Sequence, residues 1–347
     1  MPNLFELLEP PAQQVVVPSM LLQMSSPMLP PTSIIPETTK PSDINLPHKE
    51  WRVHQRETTN WILSQSGITI LQAPTGSGKT GIVSAIATQK TVTALCRTKN
   101  LQETNYGATY NFDVMFGKGN YACSHPKYYG NMADECAFKE EGMDKCPFAG
   151  QCEYLIAKAI AMYSGKRSLN YAYWLSAGWP RQLVSSVLVL DEAHQLPDIT
   201  LEWAGLEVSE KTRDEFNLET FPTLSTRSTS LFNRINPVDG VIEWLQSSVQ
   251  HLNAYLLTVA NSASDEDKKR ARWCENIMRK FTATVEALQV NPNDWYIEAG
   301  IAIKDIDGSY TPQLLCKPLS AKYHFRHYFD TTEIVLPMSA TIGDPGA

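Results

Sequence analysis

The stretch Ala73-Pro74-Thr75-Gly76-Ser77-Gly78-Lys79-Thr80 decides how the rest of this chain is read. The apolar run before it, Gly67-Ile68-Thr69-Ile70-Leu71-Gln72, predicts a buried strand, and Gly81-Ile82-Val83-Ser84-Ala85-Ile86-Ala87 after it predicts a helix. Strand, glycine turn, Gly-Lys-Thr and helix together make a phosphate cradle. The glycines let backbone N–H groups close around phosphates, and the helix N-terminus adds partial positive charge. In such a cradle Lys79 reaches the β- and γ-phosphates and the Thr80 hydroxyl holds Mg²⁺. Ala73 stands where the strict pattern has glycine, so the permissive form of the motif is the one matched.

A second half of a nucleotide site follows downstream. Residues 183–190, Leu-Val-Ser-Ser-Val-Leu-Val-Leu, predict a strand ending on Asp191-Glu192-Ala193-His194. Two acids at a strand tip suit Mg²⁺ binding by Asp191 and orientation or deprotonation of the attacking water by Glu192. His194 reads as a coupling residue near the γ-phosphate. Between the two motifs, Val92-Thr93-Ala94-Leu95-Cys96 predicts another strand, which runs into Arg97-Thr98-Lys99. In an open parallel sheet that end is where ligands bind, and contacts to the phosphates of a bound strand are a use for these three residues. Upstream, Trp51, Trp61, Ile62 and Leu63 are expected on one face of a helix that carries Arg52 and Gln55. Glutamine can pair with the N6/N7 edge of adenine, so Arg52 and Gln55 are candidate base contacts; a solvated helix face is the competing reading.

Length and composition bound the class. The 347 residues allow two or three domains, and 43% apolar with 19% charged residues describes a globular chain. A net charge of −7 gives no bulk attraction to nucleic acid, although local grip on a strand does not require one. No apolar run reaches membrane-spanning length, and the first basic residue is Lys40, which argues against a secretory signal. The expected location is intracellular, cytoplasmic or nucleoid-associated, with no membrane partner. Residues 1–47 hold ten prolines and few charges, and read as a flexible leader with a short sticky segment at Val15-Val16-Val17.

Seven cysteines are an odd number, and four of them crowd together: Cys123, Cys136, Cys146 and Cys152, separated by twelve, nine and five residues. In an ATP-using intracellular chain this favours a metal site over disulfides. The absence of a Cys-x-x-Cys knuckle disfavours a small zinc ribbon. Thiolate ligation alone leaves iron–sulfur, zinc and unligated thiols open. Cys96, Cys274 and Cys316 read as buried small side chains. Tyr106, Tyr110, Phe112, Phe116, Tyr121, Tyr128 and Tyr129, interleaved with Lys118, His125 and Lys127, are expected around the first cysteine. Stacking rings among cations suit a single strand. Residues 117–167 carry seven Lys/Arg against six Asp/Glu, so the segment is not a basic patch, and packing of the tyrosines around a metal site is the competing reading.

Phosphate loop, four cysteines and Asp-Glu-Ala-His, in that order, resemble the XPD/DinG family of iron–sulfur superfamily 2 DNA helicases. The resemblance runs from about His48 to Gly343 and includes Arg52 and Gln55, Arg97-Thr98-Lys99, Leu169-Asn170-Tyr171 and Ser339-Ala340-Thr341. It implies an α/β fold: a P-loop, RecA-like parallel sheet with two insertions, a four-cysteine iron–sulfur domain and a mainly helical arch. The implied layout is a leader over 1–47, motor segments over 48–116, 168–204 and 329–347, an iron–sulfur insertion over 117–167 and an arch over 205–328. The implied cofactors are ATP, Mg²⁺ and a [4Fe–4S] cluster on Cys123, Cys136, Cys146 and Cys152. The implied activity is ATP-driven 5′→3′ translocation on single-stranded DNA or a forked duplex. Ser339 and Thr341 match the motif that links hydrolysis to strand movement.

Inside the arch segment, residues 239–262 and a second stretch capped by Ser264 predict two helices. Their expected stripes are Val241, Ile242, Leu245, Val249, Leu252 and Leu256, and Trp273, Ile277, Phe281, Val285 and Leu288. Lys268 to Arg272 read as a solvated face. Strands are predicted over 295–303 and 313–316 around an Asp307-Gly308 turn, and over 333–336. A superfamily 2 motor closes its ATP site against a second sheet, for which no later motif remains before Ala347. The expectation is therefore a fragment or half of a split motor, joined to its second domain in a longer chain or as a separate subunit, with weak turnover alone. The alternative is a non-catalytic clamp that binds ATP and single strands; a zinc-bearing P-loop ATPase unrelated to DNA is a third reading.

Overall fold

The computed structural model describes residues 34–138, 142–176, 185–222, 237–259, 264–304, 310–321 and 332–341. The chain divides into two compact units, Met1–Leu196 with His327–Ala347, and Pro197–Arg326.

The first unit is built on a parallel sheet with strand order β1-β10-β6-β3-β5-β4, and with β2 also paired to β10. The strands are β1 (Gly67–Ile68), β2 (Leu71–Gln72), β3 (Val92–Cys96), β4 (Asp113–Met115), β5 (Lys166–Asn170), β6 (Val187–Asp191) and β10 (Ile334–Ser339). Every residue of β3 and β6 is buried, the pattern of a parallel strand covered on both faces. Helices α1 (Gln55–Leu63) and α2 (Lys79–Ile86) pack Ile62, Leu63, Ile82, Val83 and Ile86 against Leu71, Val92, Val187, Ile334 and Leu336.

Several expectations are corrected here. The 67–72 run is not one buried strand: Thr69 and Leu71 are buried, while Ile68 and Ile70 are 60% and 54% exposed. The gap between β1 and β2 has a covalent cause. Thr69 N–H donates to Val335 O, and the next rung would come from residue 337, which is proline and has no N–H to give. The helix upstream starts at Gln55, after His54 in a left-handed conformation (φ 62°), so Trp51 and Arg52 precede it. Trp61 is half exposed and does not share the buried face of Ile62 and Leu63.

Residues 34–47, expected in the flexible leader, hold defined contacts. Ile35 is buried and exchanges two hydrogen bonds of 2.9 Å with the Asn60 side chain, and Trp51 Nε1 donates to Thr39 O at 2.7 Å. Residues 1–33, including Val15-Val16-Val17, lie outside the described residues. The cysteine insertion ends before residue 166, because Lys166 and Arg167 belong to β5. Arg167 is buried there and donates to Thr93 Oγ1 and to the carbonyls of Ala161, Met162 and Ser164. The third predicted strand begins at Val187 rather than at 183; residues 183 and 184 lie outside the described residues.

The second unit holds helices and an antiparallel sheet of order β7-β9-β8: β7 (Leu206–Ser209), β8 (Trp295–Lys304) and β9 (Tyr310–Pro318). Its helices α3 (Pro237–Val259) and α4 (Asp265–Val290) share a core of Val241, Leu245, Leu252, Phe281 and Leu288. Ser264 caps α4 as expected, its side chain accepting from Asp267 N. The expected α4 stripe holds at Ile277, Phe281, Val285 and Leu288, all buried, and departs at Trp273, which sits at the rim, 38% exposed, beside the fully buried Cys274. Arg270 pairs with Glu215 instead of facing solvent alone. The Asp307-Gly308 turn lies outside the described residues. Among the described residues, no helix is long and apolar enough to cross a membrane.

Candidate functional site

Because β2, β3, β5, β6 and β10 run parallel, their C-terminal ends share one edge, and the predicted motifs all emerge there. The loop after β2 is held open by two glycines with positive φ, Gly76 at 82° and Gly78 at 90°. Lys79 folds back over it, Nζ donating to Ala73 O at 2.9 Å and Pro74 O at 3.5 Å. Ser77 Oγ is buried without a hydrogen-bond partner. A buried, unpaired hydroxyl in a glycine turn at a helix N-terminus suits a phosphate group.

Arg52 and Gln55 reach this loop. The Arg52 guanidinium donates to Gly76 O, Gln55 Nε2 donates to Gly78 O at 3.0 Å, and Gln55 Oε1 accepts from Arg52 N at 3.0 Å. Both polar ends of Gln55 are thus engaged in bracing the loop. A Cβ on Gly78 would stand 2.5 Å from Gln55 Nε2. His48 and Tyr110 pair nearby, Nε2 to OH at 2.8 Å, and the Tyr110 hydroxyl would lie 3.2 Å from a Cβ on Gly81.

Asp191 at the tip of β6 is 4% exposed. Its Oδ2 accepts from the Tyr106 hydroxyl at 3.0 Å, its Oδ1 from Glu192 N at 3.0 Å, and its main-chain oxygen from the Tyr171 hydroxyl at 2.9 Å. Burial pushes the Asp191 carboxyl up to about 6, Tyr106 opposes that shift, the neighbouring Glu192 adds to it, and Lys79 lowers it. Glu192 holds a left-handed φ of 53°, a conformation that is costly for a residue with a Cβ and gathers at functional sites. It turns Glu192 toward β10: His194 Nδ1 lies 3.3 Å from Glu192 Oε2 and 2.7 Å from Ser339 Oγ, and Ser339 Oγ is 3.5 Å from Glu192 Oε2. Ser339 is fully buried, accepts from Thr341 N at 3.1 Å, and its carbonyl accepts from Ala73 N at 3.0 Å. Phosphate loop, acid pair, His194 and Ser339 therefore form one connected group.

Arg97, Thr98 and Lys99 are exposed beside it. Arg97, Thr98, Asn100, Leu101, Thr104 and Asn105 line an open cleft with Glu192 and Gln195, and Arg97 donates to Gln195 Oε1 at 2.8 Å. Lys99 bonds Asn120, and Thr98 Oγ1 accepts from Leu101 N at 3.3 Å.

The four clustered thiols come together. Cys123, Cys136, Cys146 and Cys152 line one cavity with His125, Met143 and Phe148, enclosing about 310 Å³ free of protein atoms, part of it open to solvent. Burial raises the Cys136 thiol, and the other three cysteines add to that rise. The donor set is all sulfur and comes from short turns, which suits a compact metal–sulfur group. Among the described residues, no three His, Cys, Asp or Glu side chains converge on the position of a single ion. Cys96, Cys274 and Cys316 are fully buried elsewhere, as expected.

Two of the rings assigned to the surroundings of the first cysteine are corrected. Tyr106 and Phe112 are core residues of the sheet, with ring centroids 5.1 Å apart, and neither has a face to offer a base. Tyr110 packs against the same core, and Tyr129 is 89% exposed. Tyr121 and Tyr154 meet edge to face, and Tyr154 OH lies 3.1 Å from Tyr173 OH. Sequence reasoning missed Tyr106 and Tyr171 as partners of Asp191. It also missed Gln102, which donates to Met115 O and Ser168 O. The one available signal was the four-residue spacing of Gln102 and Tyr106 just beyond a strand end. The chain matches no protein-family model, and no curated protein matches it.

Proposed function

We propose that this chain is the first motor unit of an ATP-driven 5′→3′ DNA helicase of the iron–sulfur XPD/DinG kind. The observation that carries the reading is the bonded group at the sheet edge: Ala73 to Ser339, Ser339 to His194 and Glu192, and Glu192 to Asp191. A metabolic P-loop enzyme needs the loop and the acids. A motor needs in addition a strand that feels both the phosphate loop and the acid pair, and β10 has that position.

In this reading Lys79 leaves Ala73 O for the β- and γ-phosphates, and Ser77 Oγ gains its missing partner. Thr80 and Asp191 would hold Mg²⁺, which supplies positive charge against the phosphates. Glu192 orients and deprotonates the attacking water, and His194 passes the state of that carboxylate to Ser339. Arg97, Thr98 and Lys99 face the bound strand's phosphates, and Thr341 belongs to the same coupling segment. Arg52 and Gln55 hold the loop from the side where a base would enter. Cys123, Cys136, Cys146 and Cys152 would hold a [4Fe–4S] cluster, which supplies a cross-link among short turns that share little apolar core. The second unit, with its paired helices, takes the place of the arch. A second motor domain, on the same longer chain or as a separate subunit, is the partner this reading requires.

The test is ATP binding by this chain and by Lys79→Ala, with DNA-stimulated phosphate release measured once the second motor domain is supplied. Loss of a charge-assisted phosphate contact should weaken ATP binding by about tenfold or more. Equal ATP binding by the two proteins, or turnover of the completed motor unmoved by single-stranded DNA, would refute the reading.

A further inference from the structure

The nucleotide reading gives Asp191 a task and leaves unexplained the tyrosine that touches it. Tyr106 is fully buried, and its hydroxyl donates to Asp191 Oδ2 at 3.0 Å. A phenylalanine would fill the same space against Phe112 without placing a hydroxyl in the core. The hydroxyl is therefore there for what it holds.

We propose that Tyr106 is a positioning residue of the nucleotide site: its hydroxyl fixes the Asp191 carboxylate in the orientation in which it meets the divalent cation. This inference rests on the nucleotide reading of the site. The geometry is that of a carboxylate clamped by two donors. Oδ1 takes the Glu192 N–H at 3.0 Å and Oδ2 takes the Tyr106 hydroxyl, so rotation about the Cβ–Cγ bond breaks one bond or the other. Each oxygen keeps acceptor capacity for a cation. Tyr171 fixes the same residue from its main-chain oxygen, at 2.9 Å.

The clamp itself is rigid. Tyr106 lies in a π-helix, Leu101–Thr109, a winding that turns up at functional sites because it re-aims side chains. Gln102, one turn earlier, ties this helix to Met115 O at 3.3 Å and Ser168 O at 3.2 Å. Gly107, the next residue, lets the helix close on β4: a Cβ there would lie 3.0 Å from Val114 Cγ2. Phe112 meets the Tyr106 ring edge-on. A positioning hydroxyl needs such a seat, since a mobile donor would follow the carboxylate instead of directing it.

The experiment measures binding of a fluorescent ADP analogue in EDTA and in Mg²⁺, for the parent, Tyr106→Phe and Phe112→Leu. In EDTA, Tyr106→Phe should bind as the parent does. Its gain in affinity on adding Mg²⁺ should be smaller by about tenfold, the scale of one hydrogen bond to a charged group. Phe112→Leu, which loses packing against Tyr106 but keeps the hydroxyl, should retain the full gain. A Tyr106→Phe chain with an undiminished Mg²⁺ gain would overturn the inference. So would equal losses in both buffers, or a Tyr106→Phe chain too unstable to bind in EDTA where Phe112→Leu still binds, since each makes the hydroxyl structural. A parent that binds no nucleotide in either buffer would sink the nucleotide reading itself, and this inference with it.

Discussion

Replacing Asp191 by asparagine should make the first unit more stable at neutral pH and leave its stability unchanged in acid. The carboxyl is 4% exposed, and burial lifts it from an ordinary 3.8 to about 6. Between those two values the folded chain binds more protons at this site than the unfolded chain does, so stability falls as pH rises through the window. At 1.36 kcal/mol per pH unit, the ionised carboxylate costs the fold about 3 kcal/mol above pH 6. Asparagine keeps an acceptor for Tyr106 or for Glu192 N and carries no charge to desolvate. Urea unfolding of parent and variant, in EDTA and without nucleotide, gives the stability difference at each pH, and the second unit cancels in that difference. The difference should be near zero at pH 4 and grow in the variant's favour to between about 1 and 3 kcal/mol at pH 7. A flat difference across that range, or one that grows in the parent's favour, would refute the burial argument. The same protonation should weaken Mg²⁺-dependent nucleotide binding below pH 6, because a neutral carboxyl is a poor ligand for a hard cation.

Gly78→Ala and Gly76→Ala separate strain from crowding, since both positions have positive φ but only a Cβ at Gly78 meets the Gln55 amide, at 2.5 Å. Both should lose about 1 kcal/mol or more to backbone strain, read as a lower urea midpoint, and Gly78→Ala should in addition lose nucleotide binding; equal binding by the two would show that Gln55 does not brace the loop. Anaerobically prepared protein should be brown and hold iron and sulfide in equal amounts. Cys136→Ser should lose both, whereas Cys274→Ser should keep them; iron retained in Cys136→Ser, or zinc found in place of iron, would refute the cluster. Ile68→Lys with Ile70→Lys, exposed residues at the sheet edge, whose outer side pairs with no strand among the described residues, should reduce self-association in light scattering without changing nucleotide affinity.

How much of this was legible in the sequence follows from how local each signal is. The 92–96 strand was readable to the residue because five consecutive apolar or β-branched side chains, buried on both faces, leave a continuous run. The interrupted β1–β2 edge was not, because its cause lies at Pro337, about 270 residues away and visible only once β10 is its neighbour. Strand β4 is three residues long, too short for any period to register. The α4 stripe was legible at Ile277, Phe281, Val285 and Leu288, and missed only at Trp273, whose large ring stays at the rim while the small Cys274 beside it goes fully inside.

The site divides along the same line. Lys79, Asp191, Glu192 and the four clustered cysteines were legible because their chemistry is carried by residue type and short spacing, and the structure brings each set together. The residues that hold those groups still were not. Tyr106 read as an exposed stacking ring because its neighbours in sequence are aromatic and polar, yet it is the least accessible ring at the site. A helical period places side chains at 100° steps, and the π-winding of Leu101–Thr109 departs from that step, so an α-helical reading assigns the wrong residues inward. The departure falls beside the acid pair, where the Glu192 backbone is also in a left-handed conformation and the Asp191 carboxyl is buried. Three local rules are broken within one bonded group. Strain and buried charge that a fold could shed by single substitutions persist where a ligand makes use of them. The same breaks that hid Tyr106 from the sequence therefore fall where the proposed function puts the acid pair to work.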